Sequence, residues 1–123
     1  MVQKNILVSI LINNYNNQKF LKKSIFSCLN QTYKNLEIII FDDNSTDNSL
    51  KILKKIKNSK LKKIFSTKKK QTPSISLNQF NAIKKSFLKS KGEIIFLLDS
   101  DDYFLKNKVK FIVDLFKQEK NLN

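Results

Sequence analysis

Histidine and arginine are both absent from these 123 residues, and cysteine, glycine and proline occur once each. With no histidine and one thiol, the chain cannot assemble the nitrogen and sulfur ligands of a zinc site. Histidine-based acid–base catalysis is excluded as well. A lone cysteine forms no internal disulfide. Cys28 falls on the apolar face of a predicted helix and reads as a small buried hydrophobe, so a cytoplasmic compartment is the expectation. No apolar run approaches the length of a membrane span. Residues 1–12 lack the small-residue cleavage site that would make Ile6–Ile12 part of a signal peptide. Acids are scarce too: 10 stand against 24 basic residues, every one of them lysine, for a net charge of +14.

That charge can attract a phosphate-bearing partner. Surfaces that grip nucleic acid also use arginine and aromatic rings. The lysines are therefore read mainly as a solvated surface, and no nucleic-acid partner is expected. Peripheral contact with the anionic inner leaflet of a membrane is the other use such a surface suggests. A hydrophobic share of 41% suits a globular chain, and the length suits one domain.

Four short apolar runs read as buried strands: Ile6–Ile12, Leu36–Phe41, the weaker Leu61–Ser66, and Ile94–Leu98. Helical stripes alternate with them. The first, from Lys19 to Asn30, carries Leu21, Ile25, Cys28 and Leu29. The second carries Leu50, Leu53 and Ile56, with Ser45 or Thr46 as its cap. The third carries Leu77, Phe80, Ile83, Phe87 and Leu88, with Gly92 as a C-terminal cap. Val109, Ile112, Val113 and Phe116 mark the fourth. Lys68–Ser74 reads as a loop. Such alternation predicts an α/β sandwich with a mainly parallel four-stranded sheet flanked by helices.

In such sheets ligands bind beyond the carboxyl ends of the strands. Three polar clusters fall there: "NNYNN" after the first strand, "DDNSTD" after the second and "DSDD" after the fourth. Asp99 and Asp101 share a face when the backbone is extended. Their hard oxygens suit Mg2+ or Mn2+, ions that commonly complete their shell with substrate phosphates. A metal bridging two phosphates offsets charge on a nucleoside diphosphate leaving group. Solvated acids at a strand end are the plain alternative. Asp42 and Asp43 can accept hydrogen bonds from a base or ribose, or serve as helix caps, a role that suits Asp47 better. Tyr15 offers a flat face to a ring, or ordinary packing.

The stretches "VSILINNYNN", "SCLNQTYKNLEIIIFDDNSTDNSL" and "KGEIIFLLDSDDYFLKNKV" resemble glycosyltransferase family 2, the inverting GT-A enzymes. Family sequences commonly read V-S-I-I-I-P-x-Y-N, then Q-T-Y-x-N-x-E-I-I-I-V-D-D-x-S-x-D, then K-G-E-x-I-x-F-L-D-S-D-D. The resemblance runs from about Val8 to Val109. It implies a Rossmann-like GT-A fold and transfer of a sugar, with inversion, from a uridine diphosphate donor to an acceptor hydroxyl, with Mg2+ or Mn2+ as cofactor. It places Asn13 and Tyr15 in the nucleobase pocket and matches Asp43 to the acid that hydrogen-bonds the base. Asp99 and Asp101 match the D-x-D, Asp101 as the direct metal ligand and Asp99 nearer the ribose. Ser100 adds a contact to the donor, and Asp102 receives no role.

Asn13 stands where the family has proline. The usual arginine–asparagine pair before the last strand is replaced by "NQFNAIKKSF", whose Asn78 and Asn81 take no family role. The sequence stops soon after the D-x-D helix, so the acceptor half and the general-base acid are expected to lie outside it, and no residue here is assigned as catalytic. A nucleoside diphosphate-binding module without transfer activity is the alternative function. Metal-dependent phosphoryl-transfer folds that use acid clusters want a glutamate, or an acidic pair, after the first strand, where Asn13 and Asn14 stand.

Overall fold

The computed structural model describes residues 5–66 and 73–122, apart from the side chains of the last three of these. Most of the Lys68–Ser74 loop lies outside the described residues. Strands and helices alternate as β1 (Val8–Asn14), α1 (Gln18–Leu29), β2 (Leu36–Asp42), α2 (Ser49–Lys55), β3 (Leu61–Phe65), α3 (Ile75–Lys89), β4 (Ile94–Asp99) and α4 (Lys108–Leu122). All three neighbouring pairs are parallel, and the sheet order is β3-β2-β1-β4. Strand order reverses between β1 and β4. That is the switch point at which α/β sheets open a crevice.

Period-two alternation divides the strand residues between two faces. Val8, Ile10 and Ile12 of β1, Ile38 and Ile40 of β2, and Phe96 and Leu98 of β4 join one core with Leu21, Ile25 and Cys28 of α1, Leu53 of α2, and Val109 and Val113 of α4. Cys28 is fully buried there, as its helical spacing predicts. Burial pushes its thiol up to about 12, against a smaller lowering by the Ser27 hydrogen bond.

The opposite face carries Leu11, Ile39 and Phe41, all buried, and α3 packs on it against β1 and β2. The expected inward stripe of α3 is mostly outward: Leu77, Phe80, Phe87 and Leu88 are exposed, Leu88 at 72%. The buried positions are Ala82 and Ser86. Small side chains let the helix lie close to a sheet already filled by branched residues, and the bulky ones turn aside.

Two caps also differ. Ser90, in extended conformation, ends α3, and Gly92 has no positive φ. The glycine is needed for close approach instead: a Cβ there would sit 2.4 Å from Ser9 Oγ and 2.6 Å from Ser9 N. Gly92 N–H donates to Ser9 Oγ at 2.8 Å. The N-cap of α2 is Asn48, without a side-chain capping bond. Ser45 and Thr46 are engaged elsewhere, and Asp47 Oδ1 accepts from the Ser49 N–H at 2.9 Å.

The two sheet edges differ in character. β3 presents Lys62 and Lys63, whereas β4 reads Ile-Ile-Phe-Leu-Leu-Asp, with Leu97 57% exposed. Charged residues are the usual guard of a free edge, and β4 has none along its apolar length.

Candidate functional site

The carboxyl ends of β1, β2 and β4 meet in a cleft of about 230 Å³, lined among others by Asn13, Tyr15, Asp43, Asp99, Ser100 and Asp101. These are all the site residues named from the sequence, and the fold brings them to one place. Strand register explains why. Asn13 pairs with Asp99 and with Phe41, and Asn14 pairs with Asp42. The parallel strands therefore end level, and the residues just beyond them share one rim.

Asp99 closes β4, and the chain then turns, with the Asp102 N–H donating to Asp99 O at 2.9 Å. The turn gathers carboxylate oxygens of Asp99, Asp101 and Asp102 within 4.8 Å of one another, all three exposed. An all-oxygen, open cluster of this kind fits Mg2+ or Mn2+, which keep waters and accept phosphate oxygens. Asp102, left without a role by the sequence, belongs to this cluster by position. It also lines a larger, mainly apolar groove of about 1040 Å³ with Tyr103, Phe104 and Phe111.

Asn13 has a side-chain oxygen that is buried yet has no hydrogen-bond partner among the described residues. Buried polar atoms are rarely left unpaired, so this acceptor is ready for a donor that enters the cleft. Tyr15 is 40% exposed on the same wall. Ser100 is fully buried, and its Oγ accepts from Asn17 Nδ2 at 2.9 Å. That bond makes it a fixed point of the loop as much as a ligand contact. Four α3 residues line the cleft, the polar Asn78 and Gln79 and the apolar Ile75 and Ala82.

The two adjacent acids after β2 separate into different tasks. Asp42 is fully buried. It accepts from Asn14 Nδ2 at 2.8 Å, from Ser45 Oγ at 2.7 Å and from the Ser45 N–H at 2.9 Å. It therefore organises the loop and leaves Asp43 to face the cleft.

Sequence reasoning missed the asparagines that lace the two loops together. Asn16 has φ 53° and Asn44 φ 56°, a left-handed conformation that asparagine tolerates better than most residues. Asn16 Oδ1 accepts from the Thr46 N–H at 2.7 Å and the Asp47 N–H at 3.2 Å. Gln18 Oε1 accepts from the Asn48 N–H at 2.7 Å, and the Gln18 N–H donates to Asp47 Oδ2 at 3.0 Å. Partial burial alone would raise the Asp47 carboxyl, but these bonds from Ser49 and Gln18 hold it below the usual range. The density of asparagine in "NNYNNQ" was the available signal, because a side chain with both donor and acceptor can bridge two loops.

The Glycosyl transferase family 2 model matches residues 9–122. The chain belongs to that family. Among its relatives, an uncharacterized glycosyltransferase of Haemophilus influenzae is 38% identical over 85% of this chain and 40% of its own length. The UDP-Glc:alpha-D-GlcNAc-diphosphoundecaprenol beta-1,3-glucosyltransferase WfaP of Escherichia coli is 39% identical over 93% of this chain and 43% of its own length. The chain thus spans about two-fifths of the length of these relatives. S. aureus TarS 1-349, crystallised in complex with UDP-GlcNAc, superimposes with a TM-score of 0.75 at 26% identity, over 92% of this chain and 32% of that one. The fold is therefore the GT-A-like α/β arrangement expected from the sequence. In a Pyrobaculum calidifontis mannosyltransferase complex with GDP-Man and Mn2+, the match has a TM-score of 0.68 at 20% identity, over 85% of this chain and 32% of that one, which bears on the fold alone.

Proposed function

We propose that these residues form the donor-binding part of a family 2 glycosyltransferase, holding a nucleoside diphosphate sugar, with uridine as the nucleoside. The observation that carries this reading is the cluster of Asp99, Asp101 and Asp102 carboxylates on the rim of a cleft that also holds Asn13, Tyr15 and Asp43. Tyr15 supplies a face for the base, and Asp43 and the unpaired Asn13 oxygen accept hydrogen bonds from base or ribose N–H and O–H groups. Asp99 and Asp101, with Asp102 beside them, hold Mg2+ or Mn2+ near the diphosphate. The ion, when bound, offsets negative charge on the departing diphosphate. UDP and UDP-GlcNAc in the TarS complexes, and the UDP-glucose donor in the name of WfaP, support uridine as the base.

Inverting transfer also needs a base to deprotonate the acceptor hydroxyl. The acids outside the strand-end loops are Glu37, Glu93, Asp114 and Glu119. None of the four lines the cleft, and Glu37 is committed to Ser9 and Lys62. This favours, as a second reading of these residues taken alone, donor binding without transfer. Two-dimensional NMR tests the site, and an assay of UDP release separates the two readings. Added Mn2+ is expected to broaden the amide signals of residues 99–102 first, and UDP with Mg2+ to shift those of Asn13, Tyr15 and Asp43. Broadening centred on Glu37 or Glu93 instead would contradict the proposed site. Release of UDP from a UDP sugar in the presence of an acceptor would contradict the binding-only reading.

A further inference from the structure

The "QTYKN" stretch has no part in the site as described so far. Its first residue, Gln31, follows α1 and is fully buried. A buried primary amide is stable only when its donors and its acceptor are paired. Gln31 Nε2 donates to Ser27 O at 3.0 Å and to Leu105 O at 2.7 Å. Gln31 Oε1 accepts from the Val109 N–H at 3.0 Å, a group in the first turn of α4 that has no partner within the helix. The neighbouring Thr32 N–H donates to Lys106 O at 3.0 Å, and Thr32 Oγ1 to Asn107 Oδ1 at 2.9 Å. The end of α1 and the residues after it therefore grip the segment that runs from the acidic turn into α4. Ser27 Oγ adds a further bond from the Phe104 N–H at 3.0 Å.

Upstream, the turn is fixed at Ser100, whose N–H donates to Asn13 O at 3.2 Å and whose Oγ accepts from Asn17 Nδ2; downstream of Asp102 it depends on this grip. No hydrogen bond or ion pair from another side chain holds the Asp101 or Asp102 carboxylate among the described residues. Both acids sit in the connection between β4 and α4, outside regular structure. Their position is set by the backbone, and the backbone is anchored downstream by Gln31 and Thr32. We infer that Gln31, assisted by Thr32, is a positioning residue that holds the acidic turn in the geometry a divalent cation and diphosphate require. This rests on the donor-site reading above, and it adds that Gln31 acts from behind the site without touching the ligand.

Gln31→Met preserves most of the volume and removes all three hydrogen bonds. Two measurements on it test the inference. Hydrogen exchange of the unliganded protein is expected to rise at residues 101–109 at least about ten-fold more than in β1, because a local opening has been made easier. Affinity for Mn2+ with UDP, read by electron paramagnetic resonance, is expected to fall about 10–100-fold, the usual range when a group supporting metal ligands is lost. Ile10→Val serves as the control for general loss of stability, and it is expected to leave both quantities at the wild-type ratio. Exchange that rises equally in loop and sheet, or Mn2+–UDP affinity unchanged in Gln31→Met, would overturn the positioning role. Should Gln31→Met fail to fold, Thr32→Val decides on the same two readouts, with a smaller change in the same segment expected. Wild-type protein that binds no Mn2+–UDP would sink the donor-site reading, and with it the positioning role, while exchange confined to residues 101–109 would then show only a structural clamp.

Discussion

Among individual residues, neighbours of identical type do different work, and local hydrogen bonding decides which. Asp42 is spent on the loop and Asp43 faces the cleft. Nothing in the letters "DD" separates them; the separation comes from alternation at the end of β2, which turns one inward to Asn14 and Ser45. Asn16 should be among the least replaceable of the loop residues. Asn16→Ala would force alanine into φ 53° and remove the bonds to Thr46 and Asp47. We expect a loss of about 2 kcal/mol in urea denaturation, combining left-handed strain with lost hydrogen bonds.

Glu37 gives a pH prediction. It is buried, and burial alone would raise its carboxyl. Hydrogen bonds from Lys62, Ser9 and the Lys91 N–H, with the charge of Lys62, hold it below the ordinary value of 4.5. A carboxyl lowered on folding contributes stability that is complete above the unfolded value and is lost as pH falls through the folded one. Urea midpoints measured from about pH 6 down to about pH 3 should therefore fall less steeply in Glu37→Gln than in wild type. An equally steep fall would remove Glu37 as a source of the acid sensitivity.

For the elements, the sequence was legible where a side chain had one possible neighbour and illegible where it had several. All four strands and four helices were placed by apolar spacing, because the central strands are covered on both faces and read as continuous runs. The same spacing failed on α3. Periodicity reports which residues are apolar, and it cannot report that Ala82 and Ser86 are the ones the sheet admits. Gly92 makes no left-handed cap; its close approach to Ser9 is a contact across 83 positions in sequence, which no local signal carries. Gly92→Ala should therefore destabilise by about 1–3 kcal/mol through overpacking, read as a lower urea midpoint. A neutral result would mean that Ser9 and the turn can give way freely. The Gln31 clamp is hidden for the same reason, since it joins residues distant in sequence.

Taken whole, the molecule sets strong positive charge against one bare apolar flank. Leu97, Phe87 and Leu88 stand exposed around the β4 edge and the outward side of α3. A net charge of +14 keeps copies apart at low ionic strength. Screening weakens that repulsion as salt rises while the apolar contact is retained. Sedimentation should show self-association increasing with salt, and Leu97→Lys should suppress it by guarding the edge. Association that instead weakens with salt would assign the contact to charge. Among the described residues no helix is long and apolar enough to cross a membrane.

Strand ends distant in sequence are proposed to assemble one metal-dependent nucleoside diphosphate site, and calorimetric titration with UDP reads that assembly. Wild type and Asp101→Ala would each be titrated with and without Mn2+. Saturable binding is expected in wild type only when Mn2+ is present, and Asp101→Ala should lose it while keeping its fold. Binding that ignores both the metal and Asp101, or folded wild type that binds no UDP under either condition, would rule that site out.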